Sequence, residues 1–538
     1  MNREIRRREL PGTPVDLGPV DPLLGRIYAA RGVRDAGELR LELGGLIPVG
    51  RFAGLAAAVD LLCRHREDGS RILVVGDFDA DGATSTAVML RGLRAMDFPA
   101  VDFLVPNRFE FGYGLSPELV AVARERRPGL IVTVDNGVSS VEGVAAARAA
   151  GIDVLVTDHH LPPPTLPAAN AIANPSLADE PFPDTCLAGV GVAFYLIAAL
   201  GRRLCAPERA REIAAGLLDL VALGTVADVV PLSVNNRILV EQGLRRIRCG
   251  RCAPGITGLL EAGRRVPARA VAADLGFAVG PRLNAAGRIE DMSIGIRCLL
   301  TDDAAEARRL AARLNELNLT RRDIEADMQA TALAAVERLQ ADGTAGLPPA
   351  LTLHAADWHA GVVGLVASRV KDAAHRPVVA FAPDGADGLK GSGRSIPGFH
   401  IRDALAEVDR REPGLIQRFG GHAMAAGLSL QRTRLETFRE TFEAVARDAL
   451  TPEHLTRVLL TDGELGPADL NLDTAERLRS AGPWGQDFPE PLFDGEFALD
   501  HVRVMKDVHL KLTVRPGGHG QALEAVAFNQ AAALADAR

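Results

Sequence analysis

Apolar positions fall into two alternating textures over the first 300 residues. Short runs at 72–75, 101–105, 130–134, 154–157 and 171–173 stop at Gly, Pro, Asp or Asn. Between them lie segments of helical length, among them 117–127, 141–149 and a stretch that follows Gly82. Ser139-Ser140-Val141-Glu142 reads as a capping box at the start of one of these helices. Runs that are apolar throughout, rather than alternating, predict strands covered on both faces. Their alternation with helices predicts βαβ units around a parallel sheet.

The texture changes over 302–341, where no Gly or Pro occurs. Leucines and alanines recur there at three- and four-residue spacing among charges, predicting one or two long helices that link two lobes. A second α/β segment follows, with strands at 351–354 and 378–381 and a helix near 362–371. Short alternating runs at 501–505, 510–514 and 523–528, with Pro-Gly-Gly at 516–518, predict a small all-β module. The expected organisation is a lead-in (1–50), a parallel-sheet domain (51–300), a helical connector (301–345), a smaller α/β domain (346–452) and a β-rich tail (453–538).

The 538 residues allow three to four domains at about 150 each. The chain is large enough to exclude a disulfide-stapled miniprotein. Six cysteines are too sparse for a disulfide framework and are expected as thiols in a cytoplasmic protein. Cys249-Gly250-Arg251-Cys252 lacks the second pair that structural zinc requires. No apolar stretch is long enough for a membrane span, and the basic start runs into PGTPVDLGP rather than a signal-peptide core. A net charge of −8 argues against nucleic-acid binding by bulk basicity, but not through local arginines or bound cations.

Three predicted strands run directly into acids and imidazoles. They give Asp77, Asp79 and Asp81 after the first, Asp135 and Asn136 after the third, and Asp158, His159 and His160 after the fourth. Ligands of open parallel sheets sit outside the carboxyl ends of strands, so these groups should share one crevice. So many carboxylates together require cations, and oxygen donors with imidazoles suit Mn²⁺ or Mg²⁺. If DxDxD is extended, all three aspartates face the same ion pair. A lone DxDxG is otherwise a common turn and a His pair an ordinary surface feature; the succession of three clusters decides for a metal site. Asp228, between apolar residues in GTVADVVPL, is either a helix cap or a ligand from across the crevice.

GDFDADG (76–82), VDNG (134–137), TDHH (157–160) and GTVADVVPL (224–232), in this order, resemble the motifs of the DHH phosphoesterase superfamily. VPNRFEFGYGLS (105–116), GPRLNAAGRI (280–289), DWHAGVVGLVASR (357–369), GRSIPGFHIRDAL (393–405) and GGHAMAAG (420–427) extend the resemblance to the RecJ family of bacterial single-strand-specific DNA exonucleases. It covers the chain from about residue 50 onward. The resemblance implies a DHH catalytic domain, a connector helix, a DHHA1 domain and an OB-like β-barrel. It implies hydrolysis of single-stranded DNA from a 5′ end, releasing 5′-mononucleotides, with two divalent cations, Mn²⁺ preferred or Mg²⁺. By position, Asp79, Asp81, Asp135, His159 and Asp228 match metal ligands, Asp135 as the bridge. His160 matches an imidazole for metal or scissile phosphate, and Asp77 a ligand or an orienting group. Asp158 and Asn136 are expected behind the ligands, holding them. Some superfamily members carry a His where this chain has Val75, which leaves the first metal's ligand set open.

Phosphate contacts are expected from Arg108, Arg282, Arg288, Gly393, Arg394, Ser395 and His422. Glycine turns with incidental arginines are the plainer alternative. His359, next to Trp358, either stacks a base or fills a core corner, and the core reading is preferred. The stacking signal in the tail is thin, with Phe497 and Phe528 but no tyrosine, and the whole chain has three Tyr and two Trp, so electrostatics should dominate DNA affinity. The implied partners are single-stranded DNA with a 5′ end, a single-strand-binding protein and a RecQ-type helicase. The expected enzyme is a monomer, away from membranes, in the bacterial cytoplasm and at the nucleoid during repair. Two competing readings are a DHH phosphodiesterase of short oligonucleotides or cyclic dinucleotides, and an inactive DNA-binding scaffold. Length and the later motifs argue against the first, and the complete acid clusters against the second.

Overall fold

A computed structural model describes residues 3–12, 15–106, 111, 113–342, 347–518 and 520–531. Two compact units emerge. One comprises Leu41–Arg457 with Pro483–Phe488, and the other Arg3–Arg40, Val458–Gly482 and Pro489–Arg538. Of the stretch expected as a loose lead-in (1–50), Arg3–Arg40 thus folds with the tail, while 41–50 belongs to the first unit. Strand Arg3–Arg7 pairs with strand Arg457–Thr461.

In the first unit, five parallel strands lie in the order Val101–Leu104, Ile72–Val75, Leu130–Val134, Asp153–Thr157 and Ala171–Ala173. Ile72–Val75 and Leu130–Val134 are wholly buried. Each such aliphatic side chain contributes roughly 1.5–3 kcal/mol, which is why both strands lack polar alternation. From Ile72–Val75 the chain goes outward to Val101–Leu104, then crosses back to Leu130–Val134 on the other side. The carboxyl ends of Ile72–Val75 and Leu130–Val134 therefore flank the sheet's switch point, where a crevice opens.

Two local expectations change. The helix after the first strand begins at Ala80, not beyond Gly82, because Asp79 accepts the Gly82 N–H at 3.0 Å as its N-cap. DxDxD is therefore not extended, and its three side chains do not face one way. The capping box read in Ser139-Ser140-Val141-Glu142 does not form either: the cap position falls on Ser140, whose Oγ makes no capping bond and instead accepts the Leu115 N–H at 3.1 Å, tying down a neighbouring loop.

The connector is one helix, Ala304–Asp342, about 58 Å long at 1.5 Å per residue. Its Met328, Ala332 and Val336 enter a core with Trp358, Val363 and Val366, so Trp358 is a core residue. Strands Arg418–Gly421, Ala425–Gln431, Gly388–Arg394, Val378–Asp384 and Leu351–His354 form a mixed sheet in that order, with only the last pair parallel. The glycine-rich 388–394 segment is a strand rather than a phosphate turn. A Cβ on Gly391 would sit 2.5 Å from Phe381, and one on Gly393 would sit 2.6 Å from Ile401, so these glycines make room for the core.

In the second unit, Phe497–Met505, His509–Pro516 and Leu523–Ala527 form an antiparallel meander. Helix Pro22–Ala29 is tied to the tail by Tyr28, which donates to Ala481 O at 2.8 Å. Beyond it, Arg31 grips the buried Asp462 carboxylate at 2.7 and 3.0 Å.

Candidate metal centre

Asp77 and Asp79 leave the first strand of the switch point and Asp135 the second. Three groups of ligand atoms each lie within 4.8 Å of one another: Asp77, Asp79 and Asp135; Asp81, His159 and Asp228; Asp135, His159 and His160. Asp135 and His159 each belong to two groups, so the clusters share members rather than lying side by side. Because Asp79 caps the helix while Asp81 sits in its first turn, the two face different groups.

Asp81 is fixed by the opening of helix Gly189–Leu204. Its Oδ2 accepts Gly189 N at 2.7 Å and its Oδ1 accepts Val190 N at 2.9 Å. A helix N-terminus is a natural anchor for a carboxylate. The approach depends on small residues: a Cβ on Gly189 would lie 2.6 Å from Asp135 Oδ1, and one on Gly224 would lie 2.9 Å from Asp81 Oδ1. Asp135 has φ 61° and Val229, just after Asp228, has φ 65°. Such left-handed non-glycine backbone is costly and concentrates at functional sites.

The charges are strongly perturbed. Burial, then the Asp228 charge, pushes Asp81 up to about 7. Burial and Asp79 do the same to Asp228, also to about 7. Asp135 is driven well above the usual carboxylate range by burial and by Asp81. Burial lowers His159. Asp135 Oδ1 and His159 Nε2 lie 3.2 Å apart, both buried, and neither has a hydrogen-bond partner among the described residues. Two orphaned donor atoms of complementary type, inside a crowd of carboxylates, fit a divalent cation.

Other residues hold this arrangement. Asp158 Oδ1 accepts the His159 and His160 amides at 2.8 and 3.1 Å and pairs with His160 Nδ1 at 2.7 Å. Burial opposes the His160 charge, but the Asp158 carboxylate outweighs it and raises His160 to about 9. With Nδ1 committed, Nε2 remains for a ligand or a phosphate. Asn136 Nδ2 donates to Val75 O at 3.2 Å and Val134 O at 2.9 Å, bridging the switch point. His422, from the second sheet's hairpin, stacks on His160 with centroids 6.0 Å apart.

The remaining expectations divide. Arg394 is mostly buried, its charge disfavoured by desolvation, and it donates to Ser392 Oγ at 3.1 Å and Gly393 O at 2.7 Å. Ser395 is turned inward, donating to Phe399 O at 2.5 Å, so it shapes a loop instead of meeting phosphate. Arg282 is engaged with Asn315 Oδ1, Ala278 O and Ala262 O, knitting helices together. Arg288 Nη1 donates to Gly361 O at 3.2 Å. Arg108 lies outside the described residues.

Two contributors escaped the reading of the sequence. Tyr113 donates to Asp135 O and contacts His160 Nδ1, each at 3.2 Å; nothing in its local spacing marks it. Asn284 Oδ1 accepts Ala80 N at 2.7 Å, and a Cβ on Gly287 would sit 1.8 Å from Phe78 O. The signal lies in GPRLNAAGRI, whose asparagine and glycine, rather than its arginines, brace the aspartate loop.

The family profiles "DHH family, N-terminal domain", "DHHA1 domain" and "RecJ OB domain" match residues 71–225, 348–448 and 461–538. The single-stranded-DNA-specific exonuclease RecJ of Salmonella typhimurium is 53% identical over 537 residues, covering 98% of this chain and 92% of that protein. This chain belongs to the RecJ family. RecJ of Escherichia coli is 52% identical, covering 99% of this chain and 93% of its own. Among solved structures, RecJ from Thermus thermophilus in complex with Mn²⁺ superposes with a TM-score of 0.81 at 33% identity, covering 98% of this chain and 74% of that one. The Mg²⁺ complex of the same protein gives 0.75 at 31% identity, covering 98% and 73%. The RecJ architecture, a DHH parallel-sheet domain, a long connector helix, a DHHA1 domain and an OB domain in that order, is the architecture of this chain.

Proposed function

We propose that this chain is a divalent-metal-dependent exonuclease that hydrolyses single-stranded DNA from the 5′ end and releases 5′-mononucleotides. The observation that carries the reading is the sharing of Asp135 and His159 among overlapping clusters, in a chain of the RecJ family. Asp77, Asp79, Asp81, Asp135, His159 and Asp228 would hold two cations, Mn²⁺ by preference or Mg²⁺. Bound there, such ions acidify water and neutralise charge on attacking and leaving oxygens.

The protein's own contribution is placement. Asp135 is the carboxylate between the clusters, and the helix opening at Gly189 fixes Asp81 so that it reorganises little. Asp158 holds His160 through Nδ1 and favours its protonated form, so its Nε2–H can donate a charged hydrogen bond to a phosphate oxygen. His422 and Arg394 would grip the strand, with Arg288 at the seam between the lobes and Arg108 at the 5′ end. These contacts address the backbone, so sequence goes unread.

An enzyme confined to single strands needs duplexes opened and the exposed strand held. A RecQ-type helicase and a single-strand-binding protein are its natural partners, in the cytoplasm and at the nucleoid during repair, with the enzyme itself a monomer. The test is digestion of 5′- and 3′-labelled single strands with and without Mn²⁺, beside Asp81→Ala. Immediate release of 5′ label, only with metal and only from the unmodified chain, is expected. Release of 3′ label first, or full activity of Asp81→Ala, refutes the reading.

A further inference from the structure

The second unit contains a cavity of about 250 Å³ with Arg7, Arg8, Leu10, Arg26, Asp462 and Glu464 in its wall. Three arginines converge there, two from the amino-terminal strand and its extension and one from helix Pro22–Ala29. Their acidic neighbours do not balance them evenly. Arg7 is matched by Asp494, with Nη2 to Oδ2 at 2.7 Å. Among the described residues the acidic partner of Arg8 is Asp462, 3.9 Å away, and both oxygens of that carboxylate are already held by Arg31. Arg26 reaches the backbone oxygen of Glu464 at 3.3 Å. The Nε atoms of both Arg8 and Arg26 are buried without a hydrogen-bond partner among the described residues. Counting Arg7, Arg8, Arg26 and Arg31 against Asp462, Glu464 and Asp494 leaves one positive charge unmatched.

We propose that this cavity binds one phosphodiester of the DNA strand. A phosphodiester carries the single negative charge that the arginines lack, and its two free oxygens suit guanidinium forks. Leu10, exposed at the rim, offers an apolar surface to a sugar or base. The amino-terminal strand is then part of the strand-binding surface of the second unit and not a lead-in. The proposal rests on the single-stranded-DNA reading above. The same phosphate chemistry could come from a free phosphate or a mononucleotide, and the experiment separates these sources.

Binding of a fluorescent single strand of about 40 nucleotides to the full chain is measured by anisotropy in EDTA, over about 50–200 mM salt. Arg8→Gln/Arg26→Gln is expected to weaken binding about tenfold at mid-range salt. It should also flatten the log–log salt slope by about 0.7 per lost contact. Glu464→Gln, which removes a competing acid, is expected to tighten binding about threefold, a gain that misfolding cannot produce. Calorimetry serves as the folding control, the transition of the second unit staying at its original temperature in each variant. Unchanged affinity and slope in the double variant overturn the proposal. If inorganic phosphate or dAMP raises the melting temperature of the unaltered chain but not of the double variant, while long-strand affinity is equal, the site takes free phosphate and the assignment to the strand falls. An unaltered chain that neither binds nor cuts single strands overturns the functional reading itself, a failure distinct from that of the variants alone.

Discussion

Replacing Gly189 with alanine adds one methyl group at the point where two metal-site carboxylates meet a helix end. The new Cβ would lie 2.6 Å from Asp135 Oδ1, 2.7 Å from its Cβ and 2.8 Å from its Cγ, where ordinary contact begins at 3.4 Å. Relief requires a displacement of about 0.8 Å, against a tolerance of about 0.2 Å in metal–ligand distances. Asp135 cannot yield freely, because its backbone already sits at φ 61°. Moving the helix instead loosens the Gly189 and Val190 amides that hold Asp81. Either way one carboxylate leaves its place. The expected loss is about 10- to 100-fold in Mn²⁺ affinity and on the order of 100-fold in kcat/KM on single-stranded DNA. Titration calorimetry and release of labelled nucleotides measure the two. Gly216→Ala is the control, since a Cβ there meets nothing within 4 Å, and both quantities should stay at their original values. A Gly189→Ala protein with unaltered Mn²⁺ affinity and rate would show that Asp135 and Asp81 are not held as ligands by this helix.

Metal binding should be steeply pH-dependent. Metal-free Asp81 and Asp228 titrate at about 7 instead of 3.8, so the folded protein keeps protons that the unfolded chain has released. Metal-free stability therefore declines as pH rises from about 4 to 7. Mn²⁺ must displace those protons, so its affinity should fall on the order of 100-fold from pH 8 to pH 6; calorimetry showing a flat profile without proton release refutes this. Asp135→Asn should abolish Mn²⁺-dependent activity yet raise the metal-free melting temperature, by removing a buried carboxyl that burial and Asp81 push well above its usual range; a lowered melting temperature would contradict that origin of the perturbation. Arg31→Ala should leave the buried Asp462 with only the more distant Arg8 and the Leu492 amide and destabilise the second unit by about 2–3 kcal/mol. Calorimetry should then show an earlier transition while Mn²⁺ affinity in the first unit persists.

What the chain's pattern determined by itself was local and periodic. Strands at 130–134 and 171–173 and the helix at 141–149 were legible because a fully covered parallel strand must be apolar along its length. The aspartate and histidine clusters were legible because they follow such strands directly. Local rules also misled: Ser140 had a better partner in Leu115, and the glycines of 388–394 serve core packing. Only the tertiary structure decided that Asp79 and Asp81 part ways at a helix cap, and that Asp135 and His159 join separate clusters. It also decided that Tyr113 and Asn284 brace the site, and that Arg3–Arg40 folds with a tail more than 400 residues away. The physical reason is range. Periodicity and capping are set by neighbours within a few residues, whereas burial, charge crowding and the partner of each hydrogen bond depend on residues far apart in sequence.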